Sequence, residues 1–246
     1  MSQFMKRNML LREINTPNIG ASPEVQPGQN LQGILWSAHM QGGDIIRLGP
    51  YTYNIQKTIT VPENVTLVGV PRLSKLVLRH VAGSSQYGPV VKLNTKSRLV
   101  DCYIDLILAT DYKFDANTDG IVDPTTTRTG TGDTSDNCVV LLAGVNARIE
   151  RCFIPTGKRR AILVEANDCI VSHNEIDYPD SSSGGACIYL DTTVAGTIVV
   201  GNWCQNTTHG DILYKDPAVS GVKNVVGGLI GGSMNGLMNY ANVAEY

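Results

Sequence analysis

One short pattern returns five times along this chain. "RLVDCYI" begins at Arg98, "RIERCFI" at Arg148, "IVSHNEI" at Ile170, "IVVGNWC" at Ile198 and "NVVGGLI" at Asn224. Aligned, the seventh position reads Ile104, Ile154, Ile176, Cys204 and Ile230, and the fifth reads Cys102, Cys152, Asn174, Asn202 and Gly228. The fifth-position intervals are 50, 22, 28 and 26 residues. An aliphatic site that recurs at such intervals marks a solenoid, in which each coil buries its apolar face only by stacking on the next.

A further β-like run precedes each repeat: "VVKL" at Val90, "CVVLL" at Cys138, "AILVE" at Ala161, "ACIYL" at Ala186 and "DILY" at Asp211. Each coil therefore contributes several short strands. From Asp44 to Ile230 the spacing predicts roughly seven coils and a rod of about 35 Å. An antiparallel sandwich is the rival architecture, and it would need hairpin turns that are scarce between these runs.

The fifth position predicts a bend. Asn and Gly tolerate the left-handed conformation that a sharp corner between strands demands, and Asn174 and Asn202 are placed to stack as a side-chain ladder. Cys102 and Cys152 fit a left-handed corner less well. None of the six cysteines forms a CxxC pair, so the spacing offers no support for zinc or thioredoxin-type chemistry. Parallel strands stack about 4.8 Å apart, more than the ~3.8 Å between Cβ atoms in a disulfide, so cysteines in register on neighbouring coils are predicted to be packed thiols.

The chain opens on a different signal. In "NLQGILWSAHMQ" Asn30 is placed to cap a helix, with Leu31, Ile34, Leu35 and Ala38 on one face. "GGDIIRLGPYTYNIQKTITVPENVTLVG" follows, from Gly42 to Gly69. It holds three strand-like runs, "DIIRL", "YNIQKTITV" and "VTLVG", separated at Gly49-Pro50 and Pro62-Glu63-Asn64. The order of helix, Gly42-Gly43, strand, Gly49-Pro50, Tyr53 and Ile59-Thr60-Val61-Pro62-Glu63-Asn64-Val65-Thr66-Leu67-Val68-Gly69 resembles the start of a right-handed parallel β-helix. The family is the pectate-lyase-like superfamily, shared by many phage tailspikes and other virion proteins. The match covers about forty residues and bears on fold.

Together these readings predict an all-β chain: a right-handed parallel β-helix with a short N-terminal capping helix. Residues 1–29 read as an extended arm, 30–41 as the capping helix and 42–232 as the β-helix, with a surface excursion over 109–137. Residues 233–246 read as a tail. The arm carries Phe4, Met5, Met9, Leu10 and Leu11 before Pro17, Pro23 and Pro27. The tail carries Met238, Tyr240 and Tyr246 among small residues. Both are expected to make assembly contacts.

The excursion contains "DANTDGIVD", the front of a calcium loop. Asp115, Asn117 and Asp119 supply oxygens at alternate positions, Gly120 permits the turn, Ile121 offers its carbonyl, and Asp123 stands ninth. Thr126 occupies the twelfth position, where a bidentate Glu is usual. Ca2+ is therefore the one cofactor with a motif behind it.

Enzymes of the resembled fold act on polysaccharides through carboxylates on one face of the rod. Asp101, Glu150, Glu175, Asp177 and Asp191 fall near strand ends, and His173 lies two residues from Glu175. His209-Gly210-Asp211 matches one fragment of a polygalacturonase signature, without the Asn-Thr-Asp, Asp-Asp or Arg-Ile-Lys that accompany it. Glycoside hydrolysis needs two acids at a defined separation, and no such pair stands out. Lys158-Arg159-Arg160 is a compact basic run, suited to an acidic neighbour or glycan.

The net charge of −2 gives no basic field for nucleic acid. No run reaches membrane-span length, and the N-terminus lacks a signal-peptide core. The expectation is a non-enzymatic virion protein made in a host cytoplasm, either a capsid decoration or cement protein or a tail-associated spike component. Its expected partners are two further copies in a homotrimer and a capsid shell. The alternatives are a polysaccharide lyase or glycosidase, and an adhesin for surface glycans.

Overall fold

The computed structural model describes residues 24–79, 89–107, 138–155, 160–177, 186–191, 194–205, 212–214 and 225–227. One helix, α1 (Leu31–Met40), precedes nineteen strands among these residues. The first coil holds β1 (Ile45–Arg47), β2 (Thr52–Ile55) and β3 (Ile59–Val61). The second holds β4 (Thr66–Val68), β5 (Lys75–Arg79) and β6 (Val91–Leu93), and the third β7 (Arg98–Val100), β8 (Tyr103–Ile107) and β9 (Cys138–Leu142). The fourth holds β10 (Arg148–Glu150), β11 (Phe153–Ile154) and β12 (Arg160–Val164). The fifth holds β13 (Ile170–Ser172), β14 (Glu175–Asp177) and β15 (Ala186–Leu190). The sixth holds β16 (Ile198–Val200), β17 (Trp203–Gln205) and β18 (Ile212–Tyr214), and β19 (Val225–Gly227) opens a seventh.

Every third strand stacks. The first sheet runs β1-β4-β7-β10-β13-β16-β19, the second β2-β5-β8-β11-β14-β17 and the third β3-β6-β9-β12-β15-β18, and every pairing is parallel. This is the all-β parallel solenoid expected from the repeats. The run "YNIQKTITV" splits into β2 and β3, so each coil has three strands.

Inward positions form aliphatic columns. Ile46 pairs with Leu67, Leu67 with Leu99, Leu99 with Ile149 and Ile149 with Val171 along the first sheet. On the second sheet Tyr53 pairs with Leu76, Leu76 with Ile104, Ile154 with Ile176 and Ile176 with Cys204. All of these are buried in one continuous core. Parallel strands a few residues long gain little from propensity, and stacking like on like supplies the apolar burial that holds them. The six cysteines are free and buried.

Two corrections to the repeat follow from the register. The left-handed residue at each corner between the first and second sheets is the fourth of the pattern rather than the fifth: Asp101, Arg151, His173 and Gly201 have φ of 57°, 52°, 54° and 63°. The fifth residue points inward instead. The last repeat is also displaced by one residue, because Ile198 pairs with Val225 and Val200 with Gly227. A one-residue slip exchanges inward and outward faces, and Ile198 takes Val225 as its partner where the repeat aligns it with position 224. Ile230 lies outside the described residues.

The N-terminal end is closed by α1, which buries Leu31, Leu35 and Ala38 against the first coil. Asn30 caps it, its Oδ1 accepting from the Gly33 N–H at 3.0 Å. It ends in a paired turn, with Gly42 N–H donating to His39 O at 2.9 Å and Gly43 N–H to Ala38 O at 3.0 Å, the arrangement a left-handed Gly42 permits. The open edge of β3 is satisfied by a side chain: Thr60 N–H donates to Gln32 Oε1 and Gln32 Nε2 donates to Thr60 O, both at 2.8 Å. Val25 extends the cover, its N–H donating to Arg47 O at 2.8 Å. An uncovered parallel edge would invite pairing with another chain.

Candidate functional surface

Many of the residues singled out in the sequence lie outside the described residues. These are the calcium-loop residues Asp115, Asn117, Asp119, Ile121 and Asp123, and the assembly residues Phe4, Met5, Met9, Leu10, Leu11, Met238, Tyr240 and Tyr246. His209, Asp211, Lys158 and Arg159 lie outside them too. Among the described residues no three His, Cys, Asp or Glu side chains come together in a group able to hold a metal ion.

The corner between the first and second sheets carries a polar ladder. Ser74, Cys102, Cys152, Asn174 and Asn202 each stand one residue before a strand of the second sheet, and all five are buried. Asn174 Oδ1 accepts from the Cys152 N–H at 2.9 Å, and its Nδ2 donates to Ile149 O at 3.2 Å. Asn202 Oδ1 accepts from the Asn174 N–H at 3.0 Å and from Asn174 Nδ2 at 2.9 Å, and Asn202 Nδ2 donates to Val171 O at 2.9 Å. Each asparagine thus hydrogen-bonds backbone groups at the corner, its Oδ1 accepting from the N–H of the ladder residue on the preceding coil. Ser74 does similar work, accepting from Val70 N–H at 2.7 Å and donating to Gly49 O at 2.6 Å. The thiols make only longer contacts, Cys102 Sγ to Val100 O at 3.3 Å and Cys152 Sγ to Glu150 O at 3.5 Å. Burial pushes the Cys152 thiol up to about 12 and raises Cys102 well above its usual range. Neither thiol is an activated nucleophile.

Three of the candidate acids are held by arginines from other coils. Asp101 accepts from Arg151 Nε and Nη2, both at 2.8 Å, and this hydrogen bonding raises the Arg151 pKa. Glu150 accepts from Arg98 Nη2 at 2.7 Å. Glu175 pairs with Arg72, whose guanidinium lies 4.6 Å from the centre of the Phe153 ring. His173 holds a left-handed corner with its ring packed over Gly201, where an added Cβ would lie 2.8 Å from His173 Cδ2.

Sequence reasoning missed the column on which Arg72 lies. Lys75, Tyr103, Phe153, Glu175 and Trp203 are in register on the outer face of the second sheet. Tyr103 and Phe153 meet edge to face at 5.2 Å, and Lys75 Nζ sits 5.0 Å from the Tyr103 ring centre. The available signal was position: each residue directly follows a ladder residue. Glu165 was missed as well. It follows β12 as Asp191 follows β15, and the N–H groups of Glu165 and Asp191 donate to Leu142 O and Val164 O. The two acids thus occupy matching places on neighbouring coils.

The outer face of the third sheet is apolar over its middle coils. Leu141, Leu163 and Tyr189 are in register, point away from the main core and form a second buried cluster with Cys138.

No family model matches this chain, and no curated protein sequence does. Solved structures do. A candidate glycosyl hydrolase from Parabacteroides merdae is similar with a TM-score of 0.56 and 10% identity, over 85% of this chain and 91% of its own. ORF18 of Geobacillus virus E2 is similar with a TM-score of 0.56 and 12% identity, over 92% of this chain. This chain spans 44% of the viral protein's length. At these identities the likeness is one of fold.

Proposed function

We propose that this chain is a non-enzymatic structural protein of a virus particle. In this reading it is a capsid decoration or cement protein that works as a trimer, its apolar arm and tail gripping the shell. The carrying observation is the use made of its acids. Asp101, Glu150 and Glu175 are each tied to an arginine on another coil, so these charges stiffen the stack instead of facing a substrate. A body of stacked coils is rigid, and an apolar arm and tail suit attachment to a shell. The Geobacillus virus E2 protein is a viral use of the same fold. A tail-associated spike component fits the same features with a different copy number.

Counting the chain by quantitative mass spectrometry in purified particles tests this. Hundreds of copies per particle are expected for decoration and a handful for a tail position. Absence from particles that carry the gene overturns the proposal.

A second reading rests on Glu165 and Asp191. Neighbouring coils stack about 4.8 Å apart, and retaining glycosidases hold their two carboxyl groups ~5–5.5 Å apart. The Parabacteroides merdae candidate hydrolase shares the fold over most of both chains. Turnover of a glycan that disappears in both Glu165→Gln and Asp191→Asn would establish this reading in place of the structural one.

A further inference from the structure

Outward side chains of the coil are not equally exposed. On the first sheet Ile45 and Ile198 stand 43% and 38% exposed, and on the second Trp203 stands 45% exposed. The same kind of position on the third sheet is shut off from water: Leu141, Leu163 and Tyr189 are 3%, 2% and 7% exposed. The main core is not the cause. Val140, Ile162 and Ile188 on one side of this row, and Leu142, Val164 and Leu190 on the other, take the inward positions and belong to that core. Stacking on adjacent coils is common to all three sheets, and it leaves Ile198 open. The outer face of the third sheet is therefore covered. Every described strand belongs to one of the three sheets, and α1 packs on the first coil.

The cover has to reach from Leu141 on the third coil to Tyr189 on the fifth, about 10 Å across the strands. The connections that lead into the third sheet lie beside this face. Residues 80–90 lead into β6, whose outward residue on this row is Lys92. Residues 155–159 are only long enough to join β11 to β12. The segment 178–185 runs from Tyr178 into serine and glycine, and 206–211 is polar and leads in one coil beyond Tyr189. The connection 108–137 is the longest of all. It leads into β9 at Cys138, itself a member of the buried cluster with Leu141, and it carries Tyr112, Phe114, Ile121 and Val122.

We propose that the excursion 108–137 packs its apolar stretch, Tyr112 to Val122, on the outer face of the third sheet over Leu141, Leu163 and Tyr189. Leaving such a row in water costs free energy in proportion to its apolar area, and a contiguous apolar patch is ordinarily taken up by a partner. A segment tethered at both ends to the third coil meets the row at a high effective concentration and so outcompetes a separate chain. The third sheet is thereby occupied within the chain itself. Partners are left with the first and second sheets, where Ile45, Ile198 and Trp203 stand exposed.

The test places the photo-cross-linking residue benzoylphenylalanine in the full chain in place of Tyr189. After irradiation and digestion, mass spectrometry reads which peptides are joined to position 189. Peptides from 108–137, linked within one chain, are expected as the main product. Links chiefly to another connection, links to the third sheet alone, or a covalent dimer overturn the proposal. A second measurement needs no substitution. Amide hydrogen exchange of the parent chain over 108–137 is compared with that of a synthetic peptide of the same sequence. Exchange at least tenfold slower in the chain, centred on Phe114 to Val122, is expected; equal rates overturn the proposal even if the variant at 189 does not fold. Both measurements use the free chain, so they are independent of the virion role, which is read by counting copies on particles.

Discussion

Arg72, in a turn of the second coil, pairs with Glu175 on the fifth, across 103 residues of sequence and past the ring of Phe153. The turn over 70–74 thus acts as a clasp laid along the outer face of the second sheet. It ties coils that otherwise touch only their immediate neighbours, and so adds long-range coupling to a fold whose stability is otherwise a sum of nearest-neighbour terms.

Removing the clasp should cost little at equilibrium. The Arg72 side chain is 61% exposed, and an exposed ion pair with a cation–π contact is worth about 1 kcal/mol together. In a double-mutant cycle of Arg72→Ala with Glu175→Gln, a coupling of about 0.5–1 kcal/mol is expected from urea midpoints. A coupling near zero would show that the pair contributes nothing to the stack.

The asparagine ladder is a different case, because its members are buried. Asn174→Leu leaves the Cys152 N–H and Ile149 O without the partners they have now, and an unsatisfied buried group costs about 1–3 kcal/mol. A loss of about 3 kcal/mol is expected. Cys152→Asn should extend the ladder by one rung and leave stability within about 1 kcal/mol of the parent. A loss from Cys152→Asn as large as that from Asn174→Leu would mean that the fourth coil is shaped around its thiol.

These residues show how far the sequence could be read. The solenoid was legible because inward sites such as Leu99, Ile149 and Val171 repeat at coil length and bury alike. The corner was legible in place but displaced by one residue. Asn174 and Asn202 suggested left-handed backbone, whereas their amides are needed inside and the left-handed turn falls to Arg151, His173 and Gly201. Such a corner strains a side chain modestly, and Asp101, Arg151 and His173 accept that cost. The last repeat was mis-set because Val225-Val226-Gly227 matches Val199-Val200-Gly201 as readily as it matches the strand. Contacts between coils, such as Arg98 with Glu150 or Arg72 with Glu175, depend on register and excursion length. No local pattern encodes them. β11, only Phe153–Ile154, is too short to show any period.

The buried thiols predict a loss of stability in alkali. Burial raises Cys152 from its usual value of 9.0 to about 12 and Cys169 to about 11. In the unfolded chain both ionise near their usual value, so between that pH and the folded values the native state holds more protons than the unfolded state. Stability must then fall as pH rises, by up to about 1.4 kcal/mol per pH unit for each thiol. The contribution is intact below pH 9 and is progressively lost through about 11 and about 12. Denaturation midpoints compared at pH 8 and 10.5 should converge between parent and the Cys152→Ser, Cys169→Ser double variant as pH rises. Parallel curves would exclude the thiols as the cause.

Glycines at two corners are needed for different reasons, and substitution should separate them. Gly201 has φ of 63°, but its column already holds Asp101, Arg151 and His173 in the same conformation. An added Cβ there meets only the His173 ring, at 2.8 Å from Cδ2 and 2.9 Å from Nε2, and an exposed ring can swing aside. Gly201→Asn should therefore cost about 1 kcal/mol or less, since Asn tolerates this backbone well. Gly144 has no left-handed backbone. Its restriction is space, because a Cβ there would fall on the backbone of Asn94 and Thr95 in the coil below. Backbone held by hydrogen bonds from Ala143 and Gly144 N–H to Leu93 O cannot move without opening the stack. Overpacking of this kind costs typically 1–3 kcal/mol, and Gly144→Ala is expected at about 3 kcal/mol. Equal losses for the two variants in urea unfolding would show that coil spacing at Gly144 yields more easily than a close-packed ladder should.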